Sequence, residues 1–464
     1  MVIRTWWPFS LIMKRLLRKK LRNGKEVKNE ERRVKNSIVM EKIKYMMLSL
    51  MMAMVVALPM QAQDVNDDEV VESQDETELA DSTLIDSLTT DTQKLPWPVS
   101  VQVGLDKLLE SKMFETSQVG LMVWDLEADS CIYKRNERQL MRPASTMKLL
   151  TAITALDKLG GSYQFKTTLK YTGTIENGVL TGDVYCIGGM DPRFNSDDMA
   201  AFANGLKEMG IDTIRGSIYA DRSMKDATLL GEGWCWDDDN PVLSPLVFAR
   251  KDIFMDRFLA KLEDVGILYE GMYSTIKPCP ANAFTICTRF HTMDQVLHKM
   301  MKDSDNLYAE SMYYQIAAST GNRSASAKSA RNVERQLIRK IGLDPSRYKL
   351  ADGSGLSLYN YLSAELEVKL LRYAYKNDNI KEHLMQSLPI GGVDGTLKRR
   401  MKNSFTHGNV RAKTGTLTGI ISLAGYCKAA NGHELCFAII NNGIMHGNNA
   451  RNFADKVCTL LCQP

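Results

Sequence analysis

The sequence predicts an α/β protein with more than one domain, helical towards its ends and strand-rich in the middle. Three observations carry that reading. The chain has 464 residues, more than one compact core usually holds. Apolar residues recur at helical spacing after residue 145 and again beyond residue 293, whereas residues 165–290 are short alternating runs broken by glycine. Hydrophobic residues make up 44% and charged residues 25%, a balance that excludes a disordered chain, a collagen and a polytopic membrane protein.

The N-terminal region is set apart by charge. Residues 1–62 hold 14 basic and 4 acidic residues, and the remainder holds 45 basic against 51 acidic. The net charge of +4 therefore gives no support for a nucleic-acid partner. Residues 40–62 place Lys42 and Lys44 before an apolar run, 46–58, that ends at Pro59 and a small residue, Ala62. That run is short for a bilayer span and suits a cleaved signal peptide. A periplasmic or other extracytoplasmic location follows, with at most peripheral membrane association. Residues 1–39 are basic without a core pattern and read as an over-extended N-terminus, with translation starting at Met40. Residues 63–95 follow as an acidic tether, with eleven Asp/Glu and one basic residue, Lys94, too polar to order itself.

The folded part then reads as residues 96–160 and 291–464 of one domain, interrupted by an inserted domain at 161–290. Residues 120–136 are two strands around a Glu-Ala-Asp-Ser turn. A helix follows residue 145 and stops at Gly160-Gly161. The middle segment is mostly strands with one helix near 197–209. Helices are expected at 293–320, 327–341 and 363–375, then adjacent antiparallel strands at 410–429 and 433–443 and a closing helix at 448–461. The nine cysteines lie beyond residue 130. Cys279 and Cys287 flank a short segment and could pair, while Cys458 and Cys462 share a helix face. No metal-ligand spacing occurs. The three Asp of GEGWCWDDDN, at 231–240, read as part of a packed turn rather than a cation site.

Three short motifs carry chemistry. Ser145 and Lys148 sit one helical turn apart at the head of an apolar helix. A serine hydroxyl needs a base to become a nucleophile, and a buried lysine kept neutral can be that base. Backbone N–H groups at the helix start can receive an oxyanion. The same spacing recurs at Ser274–Lys277 and Ser346–Lys349, where no long apolar helix begins. Ser304-Asp305-Asn306 offers a second hydroxyl and a carboxamide; taken alone it also reads as a helix N-cap. Lys413-Thr414-Gly415 lies on a strand whose edge could pair with an extended peptide. Lys413 supplies positive field, Thr414 and Thr416 suit a carboxylate, and Gly415 admits a close backbone. The N–H of Thr416 would oppose that of Ser145 as the second oxyanion donor.

S-x-x-K, S-D-N and K-T-G in this order form the set of class A β-lactamases and penicillin-binding proteins. The chain resembles the class C low-molecular-mass penicillin-binding proteins, the D-alanyl-D-alanine carboxypeptidase/endopeptidase family, through most of residues 97–464. ADGSGLSLYN (351–360), SLPIGGVDGTLKRRM (387–401), GGMDP (188–192) and GEGWCWDDDN are also similar to family segments. The resemblance implies a β-lactamase/transpeptidase-like domain, an antiparallel sheet with helices on both faces, plus a strand-rich insert. It implies acylation of Ser145 with Lys148 as base, proton shuttling and substrate holding by Ser304 and Asn306, and a carboxylate-orienting Lys413. Asp221 falls where the family has an acid thought to meet the peptide's diamino acid; a turn-capping Asp is the other reading. The expected substrates are peptidoglycan stem peptides, the expected covalent inhibitors are β-lactams, and no cofactor is implied. The 159-residue span from Ser145 to Ser304 exceeds that of a β-lactamase but is shorter than in fuller family members, so one insert subdomain is expected to be reduced. A serine β-lactamase, with Glu365 or Glu367 as its water-activating acid, and a non-catalytic wall-binding protein are the alternatives.

The exported protein should begin near Gln63 when its N-terminus is read by mass spectrometry. A mature chain that keeps residues 46–58 would mean a membrane anchor instead.

Overall fold

The structure, a computed structural model, describes residues 95–237, 240–321 and 324–463. The segments expected to be an over-extended start and a signal peptide, and all of the expected tether but Leu95, lie outside the described residues.

Helix α1 (Val99–Leu108) precedes strands β1 (Gln118–Asp125) and β2 (Ser130–Arg135), which pair antiparallel around the expected turn. Helix α2 (Met147–Leu159) is entered through a 3-10 turn at Ala144–Thr146. Its residues from Met147 to Leu156 are all buried, as in a helix enclosed by neighbours on every side. Gly160, at φ 80°, ends it.

Strands β3 (Gln164–Tyr171), β4 (Thr174–Glu176), β5 (Val179–Thr181) and β6 (Val184–Ile187) follow, then helix α3 (Ser196–Glu208), β7 (Thr213–Arg215) and β8 (Ile218–Asp221). Next come helix α4 (Phe254–Asp264), β9 (Leu268–Tyr269), β10 (Tyr273–Ile276) and β11 (Phe284–Thr292). They form a five-stranded sheet in the order β10-β8-β6-β3-β11 and a four-stranded sheet β4-β5-β7-β9. A capping box between Asn195 and Asp198 starts α3. Helix α4 lies inside the stretch read as strands. Phe254, Met255, Phe258, Leu259 and Leu262, all buried, have the spacing that betrays it. The rings of Phe194, Phe202, Phe254 and Phe258 interlock over Leu169, Cys186 and Ile218 of the larger sheet.

The rest alternates helices with the main sheet. The helix expected at 293–320 is two helices, α5 (Met293–Lys302) and α6 (Asn306–Ala318). Then come α7 (Ala327–Lys340), α8 (Ala364–Tyr375) and α9 (Asp378–Ser387), followed by β12 (Arg411–Leu417), β13 (Ile420–Lys428), β14 (Glu434–Asn442) and α10 (Gly447–Cys462). The sheet order is β12-β13-β14-β1-β2, antiparallel throughout. Alternation along each strand sends Met122, Ala424, Cys436 and Ala438 to one face, against α2 and α5 to α9. Leu121, Val123, Leu423, Phe437 and Ile439 go to the other, against α1 and α10. Helices therefore cover both faces, and β12 is left at an edge.

Cys279 and Cys287 are both free thiols, so their pairing is not made. Cys287 packs against the α3–α4 core, while the N–H of Cys279 is tied to Asp221 (2.8 Å). Cys458 and Cys462 are both buried on α10. Among the described residues no helix is long and apolar enough to cross a membrane, and no group of three or more His, Cys, Asp or Glu could hold a metal ion.

Phe202 is fully buried among three other rings. Phe202→Ala should lower the unfolding free energy by roughly 3–5 kcal/mol, read from urea titration by circular dichroism. A loss under 1 kcal/mol would mean that this core is not packed as described.

Candidate active site

Ser145 lies on the 3-10 turn that feeds α2, directly after Ala144, whose φ of 50° is unusual for a residue with a side chain. The turn is stitched from below. The hydroxyls of Thr146 (2.9 Å) and Ser422 both donate to the carbonyl of Pro143. Lys148, one turn on, is fully buried. Its Nζ lies 2.9 Å from Ser145 Oγ, 2.8 Å from Asn306 Oδ1 and 2.8 Å from the Ser354 carbonyl.

The second motif stands at the break between α5 and α6. Ser304 adopts φ 59°, which no helix interior allows. Asp305, not Ser304, is the N-cap of α6, accepting from the N–H groups of Leu307 (2.9 Å) and Tyr308 (3.4 Å). The Ser304 hydroxyl is thereby spared for the third motif and accepts from Lys413 Nζ at 2.8 Å. Asn306, the first residue of α6, turns its carboxamide oxygen to Lys148.

The third motif occupies the edge strand β12. Lys413 is fully buried and also donates to the Thr414 carbonyl (2.8 Å). Thr414 Oγ1 donates to Thr396 Oγ1 (2.7 Å), and Thr416 is exposed. A Cβ on Gly415 would run into Ser422 Oγ and lie 2.7 Å from the Pro143 carbonyl and 3.1 Å from the Ser145 nitrogen. Strand β12 therefore presses against the backbone of Ser145. Gly355, at φ 82°, is wedged equally hard against the Ala144 carbonyl.

Burial pushes the Lys148 amine down to about 8, against the opposing pull of Asp352, Glu310 and Asp305. Burial and the neighbouring Lys148 drive Lys413 well below the usual lysine range. A neutral amine has two hydrogens and one lone pair. Asn306 Oδ1 and the Ser354 carbonyl can only accept, so they take both hydrogens and leave the lone pair for the Ser145 hydroxyl. Behind this stands Glu310 of α6, pushed up to about 8 chiefly by burial. It accepts from the N–H groups of Gly353 (3.0 Å) and Ser354 (2.8 Å). Asp352 accepts from Gly355 N, Ser357 N, Asn360 Nδ2 and the indole of Trp234, all at 2.7–2.8 Å.

The structure thus brings together Ser145, Lys148, Ser304, Asn306 and Lys413, with Thr414, Gly415 and Thr416 on the adjoining edge. Asp221 is different. Its carboxylate caps its own turn by accepting from the N–H of Ser223 (2.9 Å) and also accepts from the distant N–H of Cys279 (2.8 Å). Ser274 lies on strand β10, where a spacing of three does not share a face, and Lys277 covers Tyr219 instead. Ser346 bonds Asp344. Glu365 pairs with Arg138 (3.4 Å), and Glu367 is sealed in the core, where burial pushes it up to about 8. Trp236 is 83% exposed; Asp238 and Asp239 lie outside the described residues. Sequence reasoning missed Ser354, Glu310, Thr396 and Ser422. Ser354 and Thr396 stood inside segments already singled out, and Ser354 acts through its backbone.

The model of the D-Ala-D-Ala carboxypeptidase 3 (S13) family matches residues 101–250 and 244–463. The chain belongs to this family. It is an enzyme, a serine-type D-alanyl-D-alanine carboxypeptidase of the penicillin-binding class. It is similar to D-alanyl-D-alanine carboxypeptidase DacB of Haemophilus influenzae, 26% identical over 424 residues, with 73% of this chain and 88% of the relative covered. A D-alanyl-D-alanine carboxypeptidase of Actinomadura sp. is 26% identical over 435 residues, covering 73% and 80%. The crystal structure of penicillin binding protein 4 from Haemophilus influenzae superposes with a TM-score of 0.72 at 24% identity, over 78% of this chain and 99% of that one. The fold is shared with that protein, and it has the expected antiparallel sheet with helices on both faces.

Gly415→Ala should cut the rate of penicillin labelling by at least tenfold, because the added carbon must displace β12 or the Ser145 turn. Labelling kinetics on a denaturing gel would show it. A rate equal to that of the parent protein would mean that the strand does not seat the turn.

Proposed function

We propose that this enzyme is an exported D-Ala-D-Ala carboxypeptidase/endopeptidase that trims peptidoglycan stem peptides through a Ser145 acyl-enzyme. One observation carries the reading: the buried amine of Lys148 touches Ser145 Oγ while two obligate acceptors hold its hydrogens. Lys148 takes the serine proton as Ser145 Oγ attacks the penultimate D-Ala carbonyl. The backbone N–H groups of Ser145 and Thr416 receive the oxyanion. The proton that Lys148 took up is relayed to the leaving amine through the Ser304 hydroxyl, hydrogen-bonded to Lys413, which gains one proton as it gives one, and D-Ala departs. Water then attacks the ester, and the same groups run in reverse. Asn306 holds Lys148 and the substrate amide. Lys413, buried without a carboxylate partner among its hydrogen bonds, attracts the substrate's terminal carboxylate, which Thr414 and Thr416 help to seat.

A β-lactam carries the same carbonyl and carboxylate and would leave Ser145 as a slow ester. A structure of the Haemophilus protein with a bound β-lactam, 26% identical with a TM-score of 0.67, supports this reading. In the same proposal residues 96–160 and 291–464 form the catalytic domain, residues 161–290 are its insert, and the signal at 40–62 directs export. Asp221 accepts one N–H on each oxygen, from Ser223 and from the distant Cys279, and its remaining acceptor sites would meet the amine of the peptide's diamino acid.

The two lysines should fail differently. Lys148→Arg keeps charge but cannot act as a base, so acylation should fall at least about a hundredfold. Lys413→Arg should retain part of the rate. With the parent enzyme, acylation should rise as pH climbs through about 8, the value to which burial lowers Lys148, because only the neutral amine accepts the proton. Stopped-flow acylation across pH 6–10 reads all three. Equal, mild losses in both variants would reduce Lys148 to a charge in the site, and Ser145→Ala that still labels would remove the reading altogether.

A further inference from the structure

Strands and helices from the middle segment reach the second motif through one short hairpin. Phe248 and Lys251 exchange both backbone hydrogen bonds (3.1 and 3.0 Å). The two residues between them, Ala249 and Arg250, have φ of 49° and 64°. That is the geometry of a two-residue turn with both central residues left-handed, a place normally held by Asn and Gly. Neither residue here is of that kind, and strain of this sort persists only where the surroundings hold it. The tip is held on one side by Arg250, whose Nη1 lies 3.0 and 2.9 Å from the two carboxylate oxygens of Asp305. On the other side Arg222 grips Asp252 through two hydrogen bonds of 2.8 and 2.7 Å.

Asp305 is the cap that frees Ser304 for Lys413 and starts the helix bearing Asn306. We infer that Arg250 is a positioning residue for acylation: clamped on Asp305, it fixes the seat of Ser304 and Asn306 and offsets a negative charge that Lys148 feels. This inference rests on the roles proposed above for Ser145, Lys148, Ser304 and Asn306.

The charge argument has a definite sign. Lys148 faces Asp305 and Glu310 from α6, Asp352 from the loop after α7, and the amine of Lys413 from β12. The three carboxylates favour its protonated form, and burial disfavours it. A guanidinium on Asp305 weakens one of the three. Without it Lys148 keeps its proton to higher pH, and the neutral base is scarcer at any given pH. Arg250 does not touch Lys148, so the shift should be smaller than the roughly 1–3 units of a charge in direct contact.

The test is acylation by a small penicillin and by a D-Ala-D-Ala peptide, followed from pH 6 to 10 in full-length protein. Arg250→Met should slow acylation by both, roughly in proportion and by about tenfold, a factor worth 1.4 kcal/mol, and should move the acidic limb to higher pH. Arg250→Lys should restore most of the rate and the limb. Asp305→Asn retains a good capping side chain but no charge, and should move the limb to lower pH. Ala249→Gly relieves the turn while leaving the clamp, and should acylate normally with an equal or higher melting temperature. A loss confined to the peptide's KM, with penicillin acylation and the limb unchanged, would make Arg250 a substrate contact and overturn the inference. So would full activity of Arg250→Met. Should Arg250→Met fail to fold, the Asp305→Asn limb decides, and an unmoved limb refutes the charge role. If Ser145→Ala still labels, the proposed site itself has failed, whatever Arg250 does.

Discussion

A primary amine stripped of water must give its hydrogens to oxygen atoms, and Lys148 gives them to the Asn306 carboxamide and the Ser354 carbonyl. Those two acceptors come from a helix start 158 residues away and a loop 206 residues away. Neither can donate in return, so the amine's third direction is committed to Ser145. The same burial that makes the amine need partners also lowers its proton affinity to about 8. Placement and reactivity therefore have one cause. A lysine at the surface would have neither, because water would satisfy it and keep it charged.

The fold must then deliver three distant segments to one point. Helix α2 does so as a helix enclosed on all sides, whose first turn cannot shift without disturbing the core that α5 to α9 share. The break between α5 and α6 supplies the second segment. A continuous helix would have kept Ser304 in its own hydrogen-bonded ladder. Strand β12 supplies the third from the sheet's edge, where an extended substrate could pair with it. Its closeness to Ser145 depends on Gly415 having no side chain and on Ser422 of the next strand, which shares the Pro143 carbonyl with Thr146.

The sheet strands, the buried helix α2 and the closing helix were legible because each follows a simple period over many residues. The three motifs were legible because their order is distinctive. What escaped were features decided by single backbone residues or by tertiary setting. Helical spacing resumes at Leu307 after the polar stretch 302–306, so the segment reads as one helix, and the left-handed Ser304 and the cap at Asp305 divide it. Helix α4 was hidden among strands of similar composition. Glu310 has the look of an ordinary surface-capable helix residue, and nothing in the sequence says that α6 buries it.

Glu310 shows why the buried acids behind the site are more than a cost. An uncompensated carboxylate in the interior is expensive, and Glu310 meets that by accepting from two successive backbone N–H groups, of Gly353 and Ser354. Fixing those two N–H groups fixes the turn of the loop that carries them. The Ser354 carbonyl, on the same residue, points at Lys148. Asp352 locks the loop's other side through Gly355, Ser357 and Asn360, and Trp234 ties Asp352 to the strand-rich segment. The acids therefore do two opposed things to the base. Their charge raises its proton affinity, and their hydrogen bonds hold the acceptor that orients it. Replacing them with apolar residues would ease the first and destroy the second. An enzyme that needs a neutral, immobile lysine must keep them and rely on burial to win the electrostatic contest.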